Sequence, residues 1–216
     1  MKPAQKRIFI VDDHPMIREG TAKVINLEPD LVLCGAVATA TEALAGIPKA
    51  KPDVVIVDLS LEGRSGLELI KSLRSHFPKL PVVVYTMHEE AIYAHRALAD
   101  GACGYVTKRE PPIKLLTALR SAISGVKPGS RPSSARKEPE SGGTAALLIG
   151  RLSDRELEVF ELRGQGMTGD HIAARLHLSR KTVDSHLEHI KHKLHLADST
   201  QLLRSAVQWM QSRESL

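Results

Sequence analysis

The chain has 216 residues, 42% hydrophobic and only 3% aromatic, with 30 Lys and Arg against 25 Asp and Glu for a formal charge of +5. That length is long for one mixed domain and comfortable for two, each with its own core, and the positive charge permits a polyanionic partner. No run approaches the roughly 18 apolar residues of a membrane span, the basic start leads into a run too short for a secretory signal, and no metal-ligand spacing joins Cys34 and Cys103, so a cytoplasmic location is expected and the cysteines read as buried small hydrophobes rather than a disulfide.

In chain order, four short apolar runs read as strands: Ile8 to Val11, Val54 to Val57, Pro81 to Tyr85 and Gly104 to Val106. Helical recurrence lies between and after them, as in Ile17, Val24 and Ile25 and again in Ile113, Leu116 and Ile123, with Pro111-Pro112 suited to a first helical turn. Such alternation predicts an α/β fold, a doubly wound parallel sheet with helices on both faces. In a parallel sheet the carboxyl ends of the strands share one edge. The residues that follow the runs, Asp12-Asp13, Asp58, Thr86 and Lys108, are therefore expected to converge on a pocket of three carboxylates, a hydroxyl and an ammonium. Crowded carboxylates favour a cation, and oxygen donors with room for water suit Mg²⁺. Asp58 is then the natural nucleophile toward a phosphoryl group, with metal, hydroxyl and ammonium neutralising its oxygens.

From Val126 the periodicity stops. The Pro-, Ser- and Gly-rich stretches 127–134 and 138–143 hold too little apolar surface to fold and read as a tether with a reach of roughly 25–30 Å. The expected division is residues 1–125, a linker over 126–150, and a second domain over 151–216.

The last part reads as four short helices. Ser153 to Glu156 forms a capping box for the first, which Gly164 and Gly166 end; Thr168, Ser179 and Asp198 with Gln201 cap the others. A short turn at Leu178-Ser179 makes the second and third a helix-turn-helix. On the third, Val183, Leu187, Ile190 and Leu194 form a core stripe opposite Lys181, Ser185, Glu188 and His192, with Asp184 and Lys191 at the flanks. That polar face is long enough to enter a major groove, and the capped N-terminus at Ser179 can meet a phosphate. Residues 151–216 nevertheless hold ten Lys and Arg against nine Asp and Glu, so nonspecific DNA affinity is expected to be weak. Leu203, Ala206, Val207 and Met210 on the last helix are either a dimer face or core. Gly164 to Gly169 spells G-x-G-x-x-G but follows a helix rather than a strand, so it reads as a turn. His186, His189, His192 and His195 drift around their helix at three-residue steps and do not converge on one metal.

The order Asp12-Asp13, Asp58-Leu59-Ser60-Leu61-Glu62-Gly63-Arg64-Ser65-Gly66, Thr86 and Gly101 to Lys108 resembles the receiver domain of bacterial two-component response regulators. The resemblance implies five strands in the order 2-1-3-4-5 and phosphorylation of Asp58 by a partner histidine kinase. It also implies Mg²⁺ on Asp13, Asp58 and the Ser60 carbonyl with Asp12 acting through water, Lys108 on the phosphate, and Thr86 and Tyr105 moving as a switch. Glu62 departs from the proline that many relatives carry. The segments Leu152 to Val159, Ile172-Ala173, Leu178-Ser179, Thr182-Val183, His186 and Lys193-Leu194 resemble the LuxR-type DNA-binding domain, as in the NarL/FixJ-like family. That resemblance implies a transcriptional regulator, not a metabolic enzyme, that binds promoter DNA and dimerises when phosphorylated. The DNA-contact candidates are Ser179, Lys181, Thr182, Val183, Asp184, Ser185, His186, Glu188 and Lys191, the two acids standing where many relatives place lysines. The rivals are an aspartate-nucleophile phosphatase, disfavoured because Ser60 follows Asp58 where such enzymes place a second carboxylate, and an adaptor whose helical bundle binds protein.

Overall fold

A computed structural model describes residues 5–61, 65–88, 91–125 and 148–214. The expected linker over 126–150 therefore lies mostly outside the described residues. On either side of it are two compact units.

The first unit alternates β1 (Lys6–Val11), α1 (Pro15–Leu27), β2 (Leu31–Val37), α2 (Ala40–Ala50), β3 (Val54–Val57), α3 (Gly66–His76), β4 (Val82–Thr86), α4 (Ala91–Ala99), β5 (Gly104–Thr107) and α5 (Pro112–Ile123). Its five strands are all parallel in the order β2-β1-β3-β4-β5, as expected. All four β3 residues are buried, because helices cover both faces of a parallel sheet and leave no side for polar alternation. Ile8, Ile10, Ile25, Val54, Ile56, Val83, Leu115 and Leu119 form a core between the sheet and α1 and α5. Two sequence expectations shift. Ile113 sits in the first turn of α5 with its side chain exposed, off the core stripe. Cys34 and Cys103 are half-buried, and each thiol donates to a strand carbonyl, of Ile8 at 3.2 Å and of Val82 at 3.1 Å.

The second unit contains α6 (Asp154–Gly164), α7 (Gly169–Arg175), α8 (Arg180–Leu194) and α9 (Ser199–Glu214). Each start carries its expected cap: the Ser153–Glu156 box, Thr168 accepting from His171 N–H, Ser179 accepting from Thr182 N–H at 3.0 Å, and Asp198 accepting from Gln201 N–H at 2.8 Å. Gly166, at φ 84°, turns the chain between α6 and α7, so the glycine-rich run is a turn. On α9, Ala206 is fully buried, and a side chain at Gly164 of α6 would collide with the Ala206 carbonyl and with Met210. The stripe thus packs on α6 of the same chain at Ala206 and Met210, while Leu203 and Val207 are half-buried. Among the described residues no helix is long and apolar enough to cross a membrane.

Glu156 ties α6 to α8: its Oε2 accepts from Ser153 N–H and from Lys193 Nζ, both at 2.6 Å. Burial works to raise its pKa, but these donors outweigh it and hold the carboxyl below the ordinary glutamate range. A depressed folded pKa contributes stability that is present above the unfolded value and lost as pH falls through the folded one. Lys193→Met is expected to shift acid unfolding of this unit upward by about half a pH unit. Fluorescence of Trp209, the chain's single tryptophan, reports it.

Candidate functional site

Three strand ends build the first site. Asp12 N–H donates to Val37 of β2 at 3.1 Å, Asp58 N–H to Val11 of β1 at 2.9 Å, and Lys108 N–H to Thr86 of β4 at 2.7 Å. Each ladder bond continues the sheet one residue beyond its strand and fixes where the side chain begins. The Lys108 ammonium then lies 2.6 Å from Asp58 Oδ2 and 2.7 Å from Asp12 Oδ2, with all three side chains no more than 3% exposed. Burial pushes the Asp12 carboxyl above its usual range, and the Asp58 charge pushes the same way against the pull of Lys108. Burial alone would lower the pKa of Lys108, but Asp58 and Asp12 outweigh it and raise it. One ammonium faces two buried carboxylates, so the pocket has negative charge to spare.

Asp13 adds to that surplus. Its Oδ1 is buried and accepts no well-aligned hydrogen bond, although His14 Nδ1 lies 2.6 Å away. Ligand atoms of Asp12, Asp13, His14 and Asp58 all fall within 4.8 Å of one another. An unsatisfied buried carboxylate oxygen beside two further carboxylates is the donor set of a hard divalent cation, and the residues present fit Mg²⁺.

The loop after β3 closes over Asp58. Ser60 N–H donates to Asp58 Oδ1 at 3.3 Å, and the Ser60 hydroxyl lies 3.0 Å from His88 Nε2. Thr86 is fully buried, and its Oγ1 accepts from His88 N–H at 3.4 Å, while the Tyr105 hydroxyl donates to His88 C=O at 2.7 Å. Thr86 and Tyr105 thus meet at one backbone residue. Glu62 lies outside the described residues. Gly66 opens α3 with its N–H donating to Leu59 C=O at 2.8 Å, and a Cβ there would run into the Asp58 carbonyl and Leu59 Cα. Backbone cannot yield as a flexible side chain does, so Gly66→Val is expected to displace Asp58 and lower the melting temperature by about 8–10 °C in calorimetry.

Sequence reasoning missed His14 and His88, and it quoted Gly66 within the Asp58 motif without giving it a role. The two histidines had a usable signal, since one directly follows Asp12-Asp13 and the other stands two residues after Thr86 at a strand end.

The second site is α8. Lys181 and Ser185 are exposed, and Thr182 and His186 half-buried. Val183 is fully buried, which removes it from the DNA-contact candidates: it belongs to the core stripe with Ile190 and Leu194, and it cannot face both ways. The two acids are paired. Asp184 accepts from Arg180 Nε at 3.0 Å, and the same guanidinium reaches Asp170 of α7 at 3.0 Å. Glu188, exposed on the polar face, accepts from Lys191 at 2.8 Å. Arg180 was not foreseen as a site residue, although its i, i+4 spacing to Asp184 is a legible helix pair. A Cβ at Gly169 would meet this guanidinium, the far end of a half-exposed side chain that can shift aside.

Comparison with known proteins places both sites in context. Residues 8–120 match the family described as the response regulator receiver domain, and residues 151–206 match the bacterial regulatory proteins of the luxR family. The chain is 34% identical over 205 residues to the transcriptional activator protein ExaE of Pseudomonas putida, covering 93% of this chain and 95% of that one. It is 32% identical to the oxygen regulatory protein NreC of Staphylococcus carnosus (strain TM300), covering 93% and 96%. Among solved structures, RcsB of Salmonella enterica serovar Typhimurium, bound to promoter P1flhDC in the presence of phosphomimetic BeF3-, aligns with a TM-score of 0.63 and 29% identity over 94% of this chain and 98% of that one. A structure of two RcsB dimers bound to two parallel DNAs aligns with a TM-score of 0.62 and 29% identity, again over 94% and 98%.

Proposed function

Because the chain belongs to the DNA-binding response regulators that join a receiver domain to a LuxR-type helix-turn-helix, we propose that Asp58 is its phosphoacceptor and that a partner histidine kinase controls its promoter binding through it. Family membership leaves the protein-binding adaptor and the phosphatase without support. The observation that carries the site assignment is Lys108, buried between Asp12 and Asp58 beside an oxygen of Asp13 that lacks a hydrogen bond.

Asp58 attacks phosphorus, the new O–P bond forms, and the bond to the donor breaks with its electron pair leaving on the donor. Lys108, now on Asp58 Oδ2, is placed to pass to a phosphoryl oxygen without crossing open water, because it is already desolvated. Asp12, Asp13, Asp58 and the Ser60 carbonyl would hold Mg²⁺, which when bound supplies neutralisation of the phosphoryl oxygens. Thr86 turns toward the new charge. Doing so breaks its bond to His88 N–H, the residue whose carbonyl holds Tyr105, and that shared backbone is the link from chemistry to the α4–β5 surface. Dimerisation of the phosphorylated form and cytoplasmic action complete the reading.

Fluorescence anisotropy of the full chain on promoter and on random duplex, with and without a small phosphoryl donor and Mg²⁺, tests the control. Donor-dependent tightening on the promoter is expected, and equal affinity in both states would sink it. The same assay tests α8. Glu188→Lys removes an exposed acid and releases Lys191, so binding to random DNA should tighten several-fold and its log–log salt dependence should steepen by about 0.9 for each phosphate gained. Asp184→Lys should gain less than its charge change suggests. Its carboxylate already offsets Arg180, and replacing it loosens the α7–α8 clamp.

A further inference from the structure

We propose that His14 gives the acidic pocket a nitrogen donor for a divalent transition-metal ion, so that such an ion competes there with Mg²⁺ through a contact Mg²⁺ does not use. The inference rests on the pocket being a cation site and asks which cations it admits.

His14 is the N-cap residue of α1, yet its side chain makes no cap bond. Its N–H is committed to Asp12 Oδ1 at 2.9 Å, which fixes the backbone, while the side chain is 60% exposed and its Nδ1 stands at the rim of the pocket. From there Nδ1 lies 2.6 Å from Asp13 Oδ1 and 3.6 Å from Asp12 Oδ1. Adjacent ligands on one ion, each about 2.0–2.2 Å from it at right angles, sit roughly 3 Å apart. The imidazole therefore stands about 0.4 Å inside that spacing from Asp13 and about 0.6 Å outside it from Asp12, close enough for both carboxylates and the ring to reach one centre after a small shift. The partner oxygen on Asp13 is also the buried one that accepts no well-aligned hydrogen bond.

Donor chemistry then sets the selectivity. Mg²⁺ takes oxygen ligands and keeps its waters, so a nearby imidazole adds little to its binding. Along the first transition row an imidazole nitrogen strengthens binding, increasingly so from Mn²⁺ to Cu²⁺. Removing His14 should weaken those ions and leave Mg²⁺ as it was.

Mn²⁺ is the probe, added to the full chain. Pulsed electron paramagnetic resonance reads nitrogen directly coordinated to the ion, and calorimetry gives Mn²⁺ and Mg²⁺ affinities for the parent, His14→Gln and Asp13→Asn. The expected result is a nitrogen coupling in the parent that disappears in His14→Gln, with Mn²⁺ affinity down about tenfold and Mg²⁺ affinity within twofold. No coupling in the parent, a coupling that persists in His14→Gln, or equal loss for both ions overturns the role of His14. Undiminished binding of both ions to Asp13→Asn would instead overturn the cation site itself, so the two failures are distinguishable.

Discussion

Asp58→Asn leaves the protein folded and unable to take up a phosphoryl group. The amide keeps the shape of the side chain and can still accept the Ser60 N–H bond, now 3.3 Å long, but it has no anionic oxygen with which to attack phosphorus. Lys108 keeps Asp12 as its partner at 2.7 Å, so the ammonium is not stranded in the interior. Losing the Asp58 charge also removes one of the two influences that raise the Asp12 pKa, so that carboxyl should titrate lower in the variant. Incubation with a small phosphoryl donor and Mg²⁺, followed by intact-mass spectrometry, should show the added phosphoryl mass on the parent and none on the variant. Uptake by the variant at the parental rate would remove Asp58 from its role.

Lys108→Met has the second large effect, and it falls on stability as well as chemistry. Methionine fills the space but leaves Asp12 and Asp58 facing each other in a site where both are almost fully buried. Breaking a buried ion pair from one side costs about 3 kcal/mol, because the remaining charge stays desolvated. Asp12 then relieves the repulsion by holding its proton to still higher pH. A folded pKa above the unfolded value contributes stability that is full below the unfolded value and lost as pH rises through the folded one. The variant should therefore approach the parent near pH 4 and fall furthest behind it at pH 7–8, with added Mg²⁺ restoring part of the gap. Phosphoryl uptake should drop about 10²–10³-fold, the usual consequence of deleting one preorganised charge at a transition state. Urea titrations across pH and time courses of the mass shift measure the two effects. A pH-independent stability difference would mean that the charge between the carboxylates is not what Lys108 supplies.

What the sequence by itself determined were the features governed by near neighbours. Apolar runs without alternation marked β1, β3, β4 and β5 because a parallel sheet is covered on both faces. In such a sheet chain direction alone puts strand ends together, so Asp12, Asp58 and Lys108 could be assembled from order and spacing, and the caps at Ser153, Thr168, Ser179 and Asp198 follow from hydrogen bonds three residues long. Tertiary structure decided what depends on distant backbone. Gly66 is required because α3 begins against the Asp58 carbonyl, which no local pattern announces. The α9 stripe and Val183 are amphipathic faces, and periodicity shows that a face is apolar without showing what covers it. Arg180 pairs with Asp184 within α8, but it takes the packing of α7 to bring Asp170 to the same guanidinium, and Tyr105 is joined to Thr86 through His88, seventeen residues earlier in the chain. Charge and hydrogen-bond partners act through space over a few ångströms, and the sequence specifies such distances only where the chain itself is the ruler.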